Sequence, residues 1–270
     1  MTRIAGCHVI VTGGSQGIGL ATARACASRG ARVSVMARDP DRLARVQGTL
    51  PSHTSIAAAD VTDAPALGRA VAELVARNGP CDILVTAAGG AEPGYFLDQD
   101  VEACRRQMEL NYFGTLHAVR SVLPGMLDRG RGHIVLVASL AGLVGAFGYG
   151  SYTPTKYAVR GLGEALHAEF RHRGIVTSIV YPPDTDTPGL ERENRTKPAE
   201  TKRLSAGDAP LSSARVAAAI ARGIEHDRLQ VGVDLPTRVI ARLADLHGPA
   251  LRAMLRRRAR LRPEQGRRAS

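Results

Sequence analysis

A glycine-rich turn between an apolar strand pattern and a helical pattern constrains this 270-residue chain more than any other feature. The apolar run Cys7–Val11 predicts a buried strand, and T-G-G-S-Q-G-I-G follows it at residues 12–19, where a helical pattern begins. Gly13 permits a tight turn, Gly17 lets the backbone approach a pyrophosphate, and Gly19 allows close packing of helix on strand. The first N–H groups of such a helix attract anions. This order of elements predicts a dinucleotide-binding unit. Three further residues of the turn are candidates for cofactor contact: Ser15, Gln16 and Ile18.

Apolar runs of strand length alternate with helical patterns along the rest of the chain. Further strands are predicted at Arg32–Met36, Ile56–Ala59, Asp82–Thr86, Ile134–Ala138, Ile175–Tyr181 and Leu229–Val233. Helices are predicted at Ala64–Arg77, Val101–Met126, Ala214–Glu225 and Thr237–Leu261, and around Tyr152 to Lys156. The alternation predicts an α/β fold with a doubly wound parallel sheet, the Rossmann fold. We expect one dinucleotide-binding domain at 1–236, including a charged loop or mobile lid at 183–210, and a basic amphipathic helix and tail at 237–270.

The end of the second predicted strand bears on the choice between NAD and NADP. An acidic residue at this position would accept a hydrogen bond from a ribose 2′-hydroxyl, but the position holds Ala37, and Arg38 follows it. This pattern favours a 2′-phosphate and hence NADP. The alternative is a solvated Arg38 paired with Asp39. Cofactor contacts are also expected where the next two strands end, at Asp60, Val61, Ala88 and Gly89, although the small residues are equally typical of a simple turn.

Ser139, Tyr152 and Lys156 form the candidate chemical set. Tyr152 and Lys156 are four residues apart and share one face of a helix, so the ammonium is expected to lower the pKa of the phenol and bring it into acid–base use. Ser139 follows an apolar strand, where its hydroxyl can donate to the oxygen that the tyrosine protonates. A surface tyrosine beside an ordinary lysine is the alternative for this pair alone. Asn111, in an apolar helical pattern, needs a partner if it is buried and none if it is exposed.

The formal net charge of +11 is concentrated at one end of the chain. Residues Leu251–Ser270 hold eight arginines and one glutamate, which account for seven of the eleven charges. Such a segment packs on the domain and ends in a solvated tail, or it lies on an anionic membrane surface; the sequence leaves both open. Because the basic residues are gathered in a tail rather than along a groove, we expect no nucleic-acid partner.

Cysteine spacing and hydropathy indicate the compartment. The four cysteines lack the spacing of metal ligands, so reduced structural thiols and no metal site are expected. The sequence contains no apolar run of about 18 residues, so no membrane span is expected, and the start of the chain lacks a signal-peptide pattern. We therefore expect a cytoplasmic protein, with peripheral contact at the inner face of the membrane through its basic end.

The motifs together resemble the short-chain dehydrogenase/reductase family over about Gly6 to Val233. The glycine motif, Asp60, A-A-G at 87–89, Asn111, and the Ser139, Tyr152 and Lys156 set follow the family's order. The chain departs from the family at two positions. Ala87 stands where the family often has Asn, which can loosen the turn, and Pro183 stands where the family usually has Gly.

The resemblance implies reduction of a ketone with NADPH. It makes Tyr152 the residue that protonates the alkoxide and Ser139 the residue that orients and stabilises it. Lys156 would lower the pKa of Tyr152 and bind the nicotinamide ribose, and Asn111 would position Lys156 through a water. Thr187 matches the threonine that the family places near the nicotinamide carboxamide, and Pro182 is a further expected cofactor contact.

A closer resemblance lies in Y-P-P-D-T-D-T-P-G at 181–189 followed by E-N-R-T-K-P at 193–198. It is to the branch of the family that reduces a long-chain aminoketone lipid in sphingolipid synthesis. Because that substrate carries an ammonium beside its ketone, either Asp184 or Asp186 is expected to face it. Both could instead cap turns or the helix beginning near Pro188. A homo-oligomer is also expected. The alternatives are an NADP-dependent reductase of another hydrophobic ketone, 3-oxoacyl or steroid-like, and a non-catalytic NADP-binding sensor or scaffold.

Overall fold

Parallel strands form the central sheet of this computed structural model, which describes residues 1–52, 54–205 and 209–241. Within the described residues the sheet has seven strands in the order β3-β2-β1-β4-β5-β6-β9. The strands are β1 His8–Thr12, β2 Arg32–Ala37, β3 Ser55–Ala58, β4 Ile83–Thr86, β5 Gly132–Val137, β6 Ile175–Tyr181 and β9 Gln230–Gly232. The strand order reverses between β1 and β4, which opens a crevice at the carboxyl ends of the strands.

Helices cover both faces of the sheet. Their bounds are α1 Gly17–Ala27, α2 Pro40–Gln47, α3 Ala64–Asn78, α4 Val101–Met108, α5 Gly114–Asp128, α6 Thr153–Phe170, α7 Pro188–Thr196, α8 Ala199–Ser205 and α9 Ser213–Glu225. Alternate residues of β1 face opposite sides, because side chains alternate along a strand. Val9 and Val11 belong to the apolar cluster that includes α1 and α9, and Ile10 belongs to the cluster that includes α3 and α5. The doubly wound α/β prediction is confirmed.

The segment predicted as one helix over Val101–Met126 is three elements. A π-helical turn, Glu109–Phe113, separates α4 from α5. Its central residue, Asn111, is fully buried and bonds to groups outside the helix, which the extra residue of a π-turn makes possible. Gly114 follows at a close approach, since a Cβ there would lie 2.6 Å from the Val61 side chain. The prediction of an uninterrupted helix is therefore wrong.

The charged loop predicted at 183–210 holds regular structure. Thr187 starts α7, because its hydroxyl accepts from the Leu190 amide at 3.1 Å and Pro188 occupies the first turn. Two short parallel strands, β7 Thr185–Asp186 and β8 Leu211–Ser212, join the ends of the segment. Two short helices thus stand where the sequence predicted a mobile lid, and residues 206–208 lie outside the description.

Some predictions fall on residues that the structure does not describe. Most of the predicted C-terminal helix and the whole arginine-rich tail fall in 242–270, so the division at 236 stays a prediction. No helix in the described part of the chain has the length and apolar character needed to cross a membrane. The four cysteines are free, and the expectation of reduced structural thiols stays a prediction.

Candidate active site

A cavity of about 1490 Å³ opens at the carboxyl ends of the parallel strands. Residues just after successive strands line it: Gly13, Arg38, Asp60, Ala88, Ser139 and Pro182. Helix α7 and the loop before it close the other side. Ligands of open α/β sheets bind at this edge, so the fold itself selects the cavity as the candidate site.

The structure brings nearly every predicted site residue to this cavity. The lining includes the predicted cofactor contacts and the chemical set: Gly13, Ser15, Gln16, Gly17, Ile18, Gly19, Arg38, Asp60, Val61, Ala88, Gly89, Ser139, Tyr152, Lys156, Pro182 and Thr187. Asp184 also lines it. Asn111 lies behind the lining, and Asp186 is exposed on β7, outside it.

The glycine turn has the shape and the free donors that a pyrophosphate needs. Gly13 has φ +67° and approaches β4 so closely that a Cβ would lie 2.5 Å from the Ala88 amide nitrogen. Gly17 has φ +52°, a conformation that favours glycine. Helix α1 starts behind Gln16 with no side-chain cap and no acidic residue in its first turn. In contrast, α2, α3 and α4 each begin behind an aspartate that accepts a first-turn amide. The donors of α1 therefore fit an external anion.

Two guanidinium groups stand at the cavity edge beyond β2. Arg38 is 71% exposed, and its Nη1 lies 3.6 Å from Asp60 Oδ2. The alternative pairing of Arg38 with Asp39 is not seen, because Asp39 caps α2 and lies 3.5 Å from Arg42 instead. Arg42 also donates to Gln16 Oε1 at 2.7 Å and lines the cavity. Sequence reasoning missed Arg42, although a basic residue one helical turn after a capping aspartate was visible there.

Ser139, Tyr152 and Lys156 meet on one side of the cavity. Ser139 follows β5 in extended conformation, and its hydroxyl is near enough to the Tyr152 phenol to influence the pKa of that phenol. Tyr152 immediately precedes α6, so Lys156 lies one turn further along, with its Nζ 5.6 Å from the centre of the tyrosine ring. The ammonium donates to the carbonyl of Val137 at 3.0 Å. The predicted grouping is present, and the lysine is anchored by the strand that carries Ser139.

The electrostatics of this group differ from the sequence prediction. Burial raises the pKa of Tyr152 above its ordinary value, Glu193 and Asp184 raise it further, and the Ser139 hydroxyl acts in the opposite direction. Burial also lowers the pKa of Lys156 to about 8, against the charge of Glu193. The expected lowering of the phenol pKa is therefore corrected, because burial is the largest influence on the phenol and the Lys156 ammonium is directed at the Val137 carbonyl. At neutral pH the phenol keeps its proton.

Asn111 is a fully buried residue whose side chain is satisfied. Its amide group donates to Gly90 O at 2.9 Å and to Thr155 Oγ1 at 3.1 Å, and its oxygen accepts from Gly90 N at 3.0 Å. A Cβ on Gly89 would lie 2.8 Å from Asn111 Oδ1 and 3.5 Å from Lys156 Nζ. Asn111 thus ties the loop after β4 to α6, next to the lysine ammonium.

The residues that sequence reasoning missed on the far wall are Tyr149 and Glu193. The Tyr149 hydroxyl donates to Glu193 Oε2 at 3.3 Å, and both side chains line the cavity. The Tyr149 and Tyr152 rings are 5.7 Å apart. Burial raises the pKa of the Glu193 carboxyl, and Lys197 is the main opposing charge. No spacing rule pointed to Glu193, since only the path of α7 across the cavity brings it there.

Comparison with known proteins agrees with this geometry. A family model described as short chain dehydrogenase matches residues 7–198. The chain belongs to the short-chain dehydrogenase family. A short-chain dehydrogenase from Streptomyces avermitilis has a solved structure that matches with a TM-score of 0.79 and 27% identity, over 94% of this chain and 96% of the other. As a member of this family, the protein is an oxidoreductase that uses a nicotinamide cofactor.

Several curated relatives of this short-chain dehydrogenase share one named activity. The chain is 39% identical to 3-ketodihydrosphingosine reductase of Dictyostelium discoideum, over 90% of this chain and 79% of that protein. It is 38% identical to 3-dehydrosphinganine reductase of Danio rerio, over 75% of this chain and 64% of that protein. It is 37% identical to the Mus musculus 3-ketodihydrosphingosine reductase, over 80% of this chain and 68% of that protein. The chain therefore spans roughly two thirds to four fifths of these relatives.

Proposed function

We propose that this short-chain dehydrogenase uses NADPH to reduce the ketone of 3-ketodihydrosphingosine, the substrate in the names of several relatives, to the alcohol. The observation that carries the proposal is the match of 39% identity over 90% of the chain to a reductase of that name. A site in which a phenol, a hydroxyl and an ammonium converge on one cavity supports it.

The surface beside the cavity supports a lipid substrate. Phe147 lines the cavity and is 44% exposed, while Phe96 and Leu97 nearby are 72% and 93% exposed. The Tyr95 ring packs edge-on against Phe147 at 6.2 Å, and a Cβ on Gly150 would touch Phe96, so these residues form one apolar rim. Contiguous exposed apolar side chains at the mouth of a cavity favour an apolar ligand that extends out of it.

Arg38 and Arg42 support the choice of NADPH. Arg38 directly follows β2 and Arg42 lies in the first turn of α2, on the side where the ribose of a dinucleotide binds in this fold. The last residue of β2 is Ala37 rather than an acidic residue. Guanidinium groups are strong partners for phosphate oxygens. Among the described residues, the exposed Arg38 forms one ion pair, with Nη1 3.6 Å from Asp60 Oδ2, so it can turn toward a 2′-phosphate.

The chain's own residues would supply the proton and the charge stabilisation. A bound nicotinamide cofactor supplies the hydride. Tyr152, protonated at neutral pH, would transfer its phenolic proton to the oxygen of the reduced carbonyl, leaving a phenolate. Ser139 would donate a hydrogen bond to that same oxygen as negative charge develops on it. The Lys156 ammonium beside the ring would stabilise the phenolate until it regains a proton.

Asn111 and Val137 would hold Lys156 in position. The Val137 carbonyl accepts from the ammonium at 3.0 Å, and Asn111 fixes the loop that closes over it. Since the Asn111 side chain is bonded to Gly90 and Thr155, we propose that it acts on Lys156 by fixing this loop and α6. A water between Asn111 and Lys156 stays a prediction.

The test is direct. Purified protein is incubated with NADPH and 3-ketodihydrosphingosine, and the alcohol is measured by mass spectrometry, with Tyr152→Phe as the blank. Reactions with NADH, with a 3-oxoacyl thioester and with a steroid ketone run in parallel. The proposal is supported if kcat/KM is highest for 3-ketodihydrosphingosine with NADPH and the product is dihydrosphingosine. A preference for one of the other ketones would overturn the substrate assignment and leave the reductase assignment intact.

The wider expectations stay proposals. We propose a reductase domain over 1–236 and a basic segment at 237–270 that promotes contact with anionic membranes from the cytoplasmic side. Co-sedimentation of full-length and 1–250 protein with anionic and neutral vesicles tests the contact, and equal binding of both proteins removes it. A homo-oligomer is tested by light scattering.

A further inference from the structure

Helix α7 carries a carboxylate into the part of the cavity where the ketone would be reduced. Glu193 is half-buried and lines the cavity with Ser139, Tyr152 and Lys156. Its neighbours on the same helix, Glu191 and Asn194, are exposed. The position of Glu193 therefore follows from the face of α7 that turns toward the cavity.

Glu193 differs from the other carboxylates of this region in its partners. Asp184 is already paired, because Lys197 Nζ lies 3.0 Å from its Oδ2 and the Lys197 side chain is only 2% exposed. The partner of Glu193 is a neutral group, the Tyr149 hydroxyl at 3.3 Å. Across the described ranges, no lysine, arginine or histidine nitrogen lies within 4.0 Å of the Glu193 carboxylate. Asp186 is exposed on β7 and does not line the cavity.

A half-buried carboxylate without a direct cation is costly to maintain. Burial raises the pKa of Glu193, and the charges of Lys197 and Lys156 offset this in part. A cationic ligand beside it would replace the lost hydration and restore a paired charge. The site is thus electrostatically prepared for a positively charged group.

The chemistry of the proposed substrate places such a group in reach. Its ammonium and its ketone oxygen are on adjacent carbons, so the two atoms are only about 3 Å apart. When the ketone oxygen contacts Tyr152 and Ser139, the ammonium must lie in the same pocket. The Tyr149 ring, which holds Glu193, is 5.7 Å from the Tyr152 ring, and the Glu193 charge is felt at Tyr152.

We propose that Glu193, held by Tyr149, binds the ammonium of the aminoketone and gives the enzyme its preference for an amine next to the ketone. This inference rests on the proposed function. It assigns the role predicted for Asp184 or Asp186 to a different residue. The apolar rim contributes affinity that any lipid ketone shares, whereas the charge of Glu193 discriminates between an aminoketone and a plain ketone.

The experiment compares two substrates and two matched variants. Glu193→Gln keeps the size of the side chain and an acceptor for Tyr149 but removes the charge. Glu191→Gln makes the same change at an exposed position on the same helix. Each is assayed with 3-ketodihydrosphingosine and with the same ketone lacking the amine. We expect Glu193→Gln to lose between about tenfold and a hundredfold in kcat/KM on the aminoketone, as for a lost charged hydrogen bond, and less than about threefold on the plain ketone. Glu191→Gln should match wild type on both.

Equal losses on both substrates would assign Glu193 a structural role and overturn the proposal. A binding measurement on wild type serves if Glu193→Gln fails to fold: octadecylamine should compete with the ketone at least about tenfold better than octadecanol. Equal competition by the two would also overturn the proposal. The competition measurement also separates the ammonium site from the proposed function. If wild type prefers the amine ligand but does not reduce the aminoketone, the ammonium site is supported and the proposed function is wrong.

Discussion

Polar side chains lie at both ends of the parallel sheet, but their surroundings differ. At the amino end they are hydrogen-bonded to other protein groups, and at the carboxyl end they face a cavity. At the amino end, His8 is fully buried between the Gly79 carbonyl and the Ser34 hydroxyl, each 2.7 Å from a ring nitrogen. His133 is likewise enclosed between Thr2 and Ser178, at 3.0 and 2.9 Å. At the carboxyl end, Ser139 and Lys156 face a cavity.

The difference shows what a buried polar group does in this molecule. Where main chain and hydroxyl groups close around it, as around both histidines, its contribution is to the stability and register of the sheet. Where one side stays open to a cavity, its hydrogen-bonding capacity is available to a ligand. Serine occurs in both settings, as Ser178 beside a buried histidine and as Ser139 at the cavity, so the surroundings of a polar residue decide whether it contributes to stability or to ligand binding. Substitutions at the two ends should therefore separate activity from stability.

The largest expected effect is on catalysis at the carboxyl end. Tyr152→Phe removes the proton donor, so kcat should fall at least about 1000-fold, while the melting temperature and NADPH affinity stay close to wild type. Tyr157→Phe is the matched control, since Tyr157 is an exposed tyrosine on the same helix. A Tyr152→Phe protein that is folded and keeps a tenth of the wild-type kcat would contradict the assignment.

The next effect concerns the cofactor. Arg38→Ala should lower the ratio of kcat/KM for NADPH to that for NADH by between about tenfold and a hundredfold, because a charge-assisted contact to the 2′-phosphate is lost. Arg45→Ala, an exposed arginine of α2 outside the cavity lining, is the control and should leave the ratio unchanged. If wild type prefers NADH, the choice of cofactor is wrong.

At the amino end the expected effect is on stability and depends on pH. Burial lowers the pKa of His133 to about 4, against an unfolded value of 6.5. The unfolded chain therefore binds the proton first as pH falls, so this contribution is complete above about pH 6.5 and is lost progressively toward pH 4. The free energy of unfolding should drop by about 2 kcal/mol between pH 7 and pH 5 through this residue.

Denaturant titrations at both pH values measure this drop. His133→Asn removes the titrating ring, so its drop between the two pH values should be smaller by that amount. Burial lowers the pKa of His8 as well, and this histidine should contribute with the same sign in both proteins. An unchanged pH dependence in His133→Asn would show that the buried ring is not the source.

The smallest effect is expected just outside the cavity. Asp186 is exposed and its carbonyl, not its carboxylate, accepts from Ser213. Asp186→Asn should therefore change kcat/KM by less than about twofold on either ketone. A selective loss on the aminoketone, larger than that of Glu193→Gln, would restore the original assignment to the aspartate.

The sheet and the carboxyl-end site followed from the sequence where each residue's position depends on local pattern. Strand ends are marked by apolar runs followed by Gly13, Arg38, Asp60, Ala88 or Ser139, and parallel strands bring such ends to one edge. The four-residue spacing of Tyr152 and Lys156 is likewise a local property of a helix.

Features that depend on tertiary path were not predictable in the same way. Glu193 reaches the cavity only because α7 crosses it, and Lys197 pairs with Asp184 only because α7 ends there. Whether the pKa of Tyr152 falls or rises depends on the balance between burial and a charge, which spacing does not give. The sequence leaves open whether Asn111 is buried or exposed, and the π-helical turn that buries it has no periodic sequence pattern.

Because of this π-helical turn, the number of residues between Glu92 and Ser151 is itself constrained. A π-helical turn holds one residue more than an α-helical one, so α4 and α5 follow two different helical registers. Deleting a single residue from 109–113 would restore a continuous helix and rotate α4 against α5 by about 100°. Gln107, which bridges the Glu92 amide and the Ser151 hydroxyl, would leave both. Substitutions on the exposed face of this segment should be tolerated, whereas the loss of one residue from the turn should not.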